Sequence, residues 1–75
     1  METPNIESLI DCGGQITVGE MTPVGSVAIA NDESGTLAML RKHPGESFAN
    51  LLARLDQAIE YALENDEIID EINRR

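Results

Sequence analysis

Seven carboxylates lie between Leu55 and Asn73, at Asp56, Glu60, Glu64, Asp66, Glu67, Asp70 and Glu71, with no lysine or arginine among them. On a helix, spacings of three and four gather such groups on one face, where each like pair costs about 0.2–0.5 kcal/mol. A face built at that cost suits electrostatic docking to a cationic surface. Glu60, Glu64, Asp66, Glu67, Asp70 and Glu71 are therefore the candidate partner-binding face, and the alternative is a surface that is merely solvated.

The other reactive residue types assemble nothing catalytic. His43 stands beside Pro44 without a serine or cysteine partner, and its nearness to Glu46 is nonspecific, so it reads as a loop histidine. Cys12 reads as a small buried residue rather than a reactive thiol. Gly13-Gly14 and Gly19 lack the Gly-x-Gly-x-x-Gly spacing of a phosphate cradle. Asp32-Glu33 lies on a loop without histidine, so no metal site is expected. The chain thus reads as a non-enzyme, with no catalytic, cofactor-binding or metal-ligating residue.

With 75 residues the chain forms one domain, 1–75, and at that size a hydrophobic core is marginal by itself. One Phe, one Tyr and no Trp leave that core to aliphatic residues, and a single cysteine precludes an intrachain disulfide. Oligomerisation is the remaining staple, so a homodimer or a complex with a larger partner is expected. The net charge of −9 argues against direct nucleic-acid binding and for a basic protein partner. Its only cationic clusters are Arg41-Lys42 and Arg74-Arg75. No apolar run is long enough to span a bilayer, and the N-terminus lacks the pattern of a signal peptide. A cytoplasmic protein of a microbe or phage is the expectation.

The elements that must position these groups read as α+β. Thr3 caps and Pro4 opens a short helix over about residues 4–12, which Gly13-Gly14 ends. Gln15–Glu20, Ser26–Ala30 and Thr36–Arg41 read as a three-stranded antiparallel meander, with turns at Thr22–Gly25 and Asn31–Gly35. Val27 and Ile29 oppose Ala28 and Ala30 across the second strand, and Leu37 and Met39 oppose Ala38 and Leu40 across the third. Apolar residues on both faces imply a sheet covered twice, once by its own helix and once by something else. The small alanines mark a close approach.

Ser47 caps a long amphipathic helix packed on one sheet face, with Phe48, Leu51, Leu52, Leu55, Ala58, Ile59 and Ala62 at helical spacing. The width of this stripe favours packing on a sheet over a narrow coiled-coil seam. Asn65-Asp66 interrupts the stripe and Ile68, Ile69 and Ile72 resume it, so the helix either continues to Asn73, about 39 Å in all, or kinks near Asn65. The surplus turns outrun a domain of this size, which makes Ile68, Ile69 and Ile72 the candidate oligomer contact.

From Val27 onward the order is strand, acidic turn with Gly35, strand, then Gly45-Glu46-Ser47 opening a helix that runs to Ala58-Ile59-Glu60-Tyr61-Ala62-Leu63-Glu64. Over residues 27–64 this resembles the N-terminal domain of HicB-type antitoxins, which pair a hairpin with Gly-x-Ser/Thr and a helix rich in Glu, Ala and Leu. A Pro-Asp-Leu-Pro-Gly-Cys-like segment before the helix is missing, a helix and strand are added in front, and no DNA-binding domain follows. The resemblance implies an acidic protein that covers a small basic toxin ribonuclease and catalyses nothing. The alternative is a structural homo-oligomer with no charged target.

Overall fold

The computed structural model describes residues 2–73; Arg74 and Arg75, one of the two cationic clusters, lie outside them. The elements are α1 (Pro4–Asp11), β1 (Gln15–Met21), β2 (Gly25–Asp32), β3 (Gly35–Arg41), α2 (Phe48–Asn65) and β4 (Ile69–Asp70). The α+β class, the leading helix, the antiparallel meander and the helix after it agree with the sequence. The sheet, however, has four strands in the order β1-β2-β3-β4, and β4 runs parallel to β3.

Two positions depart from expectation along this path. The last turns do not extend α2. Asp66 takes the left-handed conformation (φ 53°) with its N–H on Ala62 O, and Glu67 N also reaches Ala62 O at 3.2 Å, closing the helix. The chain then turns back, and Ile69 falls opposite Ala38 in a strand rather than on a helix face. The other departure is a bulge: Ala30 pairs with Ala38 but Asn31 pairs with Thr36, leaving Leu37 unpaired. Leu37 consequently packs toward the core instead of sharing a face with Met39.

Register sorts the side chains. Ile16, Ala30, Ala38 and Ile69 stand in one row and Val18, Ala28 and Leu40 in the next, all on the helix-bearing face. Ala28, Ala30 and Ala38 are fully buried, and their small side chains let Leu51, Leu55 and Ile59 of α2 and Ile6 and Leu9 of α1 close over the sheet. α2 lies over β3 and β2, and α1 lies against α2 and β1. The opposite face carries Thr17, Ile29, Met39 and Asp70 in one row and Gly19, Val27 and Arg41 in another, with no described helix over it.

The turn from α1 into β1 depends on Gly14. A Cβ there would sit 2.6 Å from the Leu9 side chain and 2.8 Å from the Asn31 carbonyl oxygen. At the other hairpin, Asp32 Oδ1 accepts from the backbone N–H groups of Ser34 (2.8 Å) and Gly35 (3.1 Å), fixing a two-residue β2–β3 turn.

Candidate interaction surface

The break at Asp66 divides the seven carboxylates, and their roles separate accordingly. Asp56 is buried at 6 % exposure. Its Oδ1 accepts from Ile6 N at 2.8 Å and its Oδ2 from Asn5 Nδ2 at 3.0 Å. It therefore caps α1 from across the helix pair, satisfying an N–H that the first turn cannot. Thr3 occupies the N-cap position but makes no side-chain cap bond, contrary to the sequence expectation.

Glu71 folds back onto Arg54, which is the centre of an ion network. The Arg54 guanidinium grips Glu46 through Nε (2.7 Å) and Nη2 (2.9 Å), Glu71 through Nη1 (3.0 and 3.3 Å) and the Arg41 carbonyl through Nη2 (2.9 Å). All five donors are thus directed at acceptors. Glu46 also accepts from His43 N at 2.9 Å and from the Asn50 amide. Arg54, and next the His43 N–H, hold the Glu46 carboxyl down from 4.5 to about 2. Glu46, with help from Glu71, in turn raises the pKa of Arg54. The network ties the β3–α2 loop, α2 and the segment after β4 together. His43 approaches Glu71 at 3.9 Å and is otherwise open to solvent.

Asp70 serves the chain end, accepting from the backbone of Asn73 and Ile72 at 2.9 Å each. The Asn73 N–H chiefly lowers its pKa. Glu60, Glu64, Asp66 and Glu67 remain exposed. Glu60 receives Asn5 Nδ2 at 3.2 Å and Glu67 the Tyr61 hydroxyl at 3.3 Å, and no ion pair among the described residues involves these four. The candidate face is thereby narrowed: Asp70 and Glu71 are occupied within the fold.

The three isoleucines also part company. Ile69 packs against the core and Ile72 is half-buried, whereas Ile68 is 63 % exposed. Leu63, in the last turn of α2, is 59 % exposed. These two, with Asp66 and Glu67, line a hollow of about 400 Å³ between the end of α2 and the β2–β3 turn. A second hollow of about 450 Å³ lies on the other side of Glu67 and Ile68, against Tyr61, Ile69, Asp70 and Asn73. Leu63 escaped sequence reasoning because helical spacing assigns it to the solvent side. Its exposure acquires meaning only once the hairpin turn is placed beside it.

Cys12 is exposed at the end of α1 rather than buried. Among the described residues no group of histidine, cysteine and carboxylate side chains could hold a metal ion, and no helix is long and apolar enough to cross a membrane. No protein-family model, curated protein or solved structure matches the chain.

Proposed function

We propose that this chain is a small, acidic, non-enzymatic protein-binding module that engages a basic protein surface, as an antitoxin or inhibitor does, in the cytoplasm of a microbial or phage-bearing cell. The observation that carries this reading is the meeting, at one place, of exposed aliphatic side chains and carboxylates that form no ion pair among the described residues. Asp66 and Glu67 stand beside Leu63 and Ile68, with Glu60 and Glu64 along the adjoining helix. Apolar anchors ringed by charge are what a specific interface needs: the anchors supply affinity and the charges supply steering and register. The resemblance over residues 27–64 to HicB-type antitoxins points the same way, toward a small basic toxin as the partner class.

The test is capture of a partner by the full chain in low and high salt, compared between two variants of equal charge. In one, Glu60, Glu64 and Glu67 become Gln; in the other, Glu2, Glu7 and Glu33 do. Salt and the first variant are expected to weaken binding, and the second variant to leave it close to wild type. Equal losses in both variants, or indifference to salt, would refute the acidic site. Salt indifference combined with self-association lost on Ile68→Ser would favour the alternative, a structural homo-oligomer built on Ile68.

A further inference from the structure

The two edges of the sheet are unlike. β4 presents two residues, whereas β1 presents seven, and no described strand flanks the outer side of β1. Along that outer side no backbone hydrogen bond to β1 is made among the described residues, which leaves the edge able to template another strand. Proteins usually blunt such an edge with lysine, proline, a bulge or a very short strand. β1 has no lysine or proline, carries one charged residue, Glu20, and pairs with β2 without a register shift.

Two apolar side chains overhang this edge on the helix-bearing face. Val18 is 42 % exposed and Ile10 is 51 % exposed. Asn5 marks the side of α1 that meets α2, since its amide reaches Asp56 and Glu60. Ile10 follows it by five positions, about 140° further round the helix. It therefore points away from α2, toward the β1 side.

We infer that β1 pairs antiparallel with β1 of a second copy of this chain, about a two-fold axis at Val18, joining two four-stranded sheets into one of eight strands. Self-complementarity identifies the occupant. In this register Val18 meets its own counterpart, Thr17 meets Gly19 of the second copy, Ile16 meets Glu20 and Gln15 meets Met21. The two Glu20 side chains stand about 14 Å apart at ~3.4 Å per residue, beyond the Debye length of about 8 Å at physiological salt. A cationic strand would find only one carboxylate on β1 to recognise, whereas a second copy sets Val18 against Val18 and places each Glu20 opposite Ile16, so that no like charges face each other. The net charge of −9, with Glu7 and Asp11 on α1 beside β1, opposes the pair and makes it salt-dependent, while Asp66 and Glu67 lie at the far, β4 edge. Across eight strands at ~4.8 Å spacing the two outer edges are about 34 Å apart.

A contact of this extent falls at the small end of specific interfaces, below about 1,200 Å², so the test spans micromolar to millimolar protein. Sedimentation equilibrium of the full chain should give a species of twice 8.2 kDa whose population rises with concentration and with salt, as like-charge repulsion is screened. Amide exchange should show alternate β1 residues becoming protected as concentration rises, a readout that needs no variant. Val18→Glu and Ile10→Glu should each raise the dissociation constant by roughly tenfold or more at unchanged circular dichroism, and Ile68→Ser should leave it unaltered. A chain that stays monomeric at millimolar concentration, a dimer indifferent to both edge variants, one lost on Ile68→Ser, or open-ended polymers would each overturn the pairing. The salt response has the opposite sign to that of the acidic site, so either reading can fail while the other stands.

Discussion

Replacing Asp56 by alanine tests the cross-helix cap directly. The substitution removes the shared acceptor of two donors, Ile6 N at 2.8 Å and Asn5 Nδ2 at 3.0 Å. Asn5 can turn toward Glu60, which it already touches, but Ile6 N is fixed by the helix and is left without its partner. A hydrogen bond to a charged group contributes about 1.5–3 kcal/mol, and helix N-caps as a class about 0.5–2 kcal/mol. The expected loss is therefore about 2–3 kcal/mol, a drop of roughly 8–24 °C in Tm for a domain of this size. Asp56→Asn keeps one carbonyl oxygen in place and should cost about half as much. Thr3→Ala, the substitution that sequence reasoning alone would single out, should be close to neutral, because that side chain caps nothing. Urea and thermal denaturation measure the losses, and amide exchange across α1 locates them. If Asp56→Ala lies within about 0.5 kcal/mol of wild type, the range of an ordinary surface change, or if Thr3→Ala costs more than Asp56→Ala, the cap has been misassigned.

The Arg54 network makes a pH prediction. Glu46 has a folded-state pKa of about 2 against an ordinary 4.5, so its contribution is present above the ordinary value and is lost as pH falls toward the folded one. Denaturation midpoints should fall between about pH 5 and pH 2, and less steeply in Glu46→Gln; equal slopes would refute the assignment. Gly14→Ala drives a Cβ against Leu9 and the Asn31 carbonyl and should destabilise by about 1–3 kcal/mol. A neutral result in urea denaturation would mean that the α1–β1 turn relaxes freely.

Much of the fold was written in local signals. Alternation in β1 to β3, Pro4 at the start of α1, Ser47 at the start of α2 and the helical spacing of Leu51, Leu55 and Ile59 each depend on neighbours within a few residues. What was illegible depends on long-range geometry. Ile68, Ile69 and Ile72 fit a helical period, and only the left-handed turn at Asp66 and a vacant position beside Ala38 convert Ile69 into a strand. Isoleucine is β-branched and accepts either fate, so the partner decides. The bulge at Leu37 likewise arises in the pairing of two strands rather than in either strand alone.

The same turn decides which acids can act outward. Had α2 continued to Asn73, the six carboxylates after Asp56 would have lined one rod. Because the chain reverses, Glu71 returns to Arg54 and Asp70 is spent on Ile72 and Asn73; Asp56 is in any case covered by α1. Glu60, Glu64, Asp66 and Glu67, exposed and without an ion pair among the described residues, remain next to Leu63 and Ile68. The turn thus trades a diffuse negative rod for a compact patch with apolar anchors. Pairing through β1 would place two such patches at opposite ends of one sheet. A partner on each would then leave the central strand pair untouched, so partner binding and self-association should be independent in free energy. A binding constant unchanged between wild type and Val18→Glu would show that independence, and a coupled change would mean that the two surfaces meet.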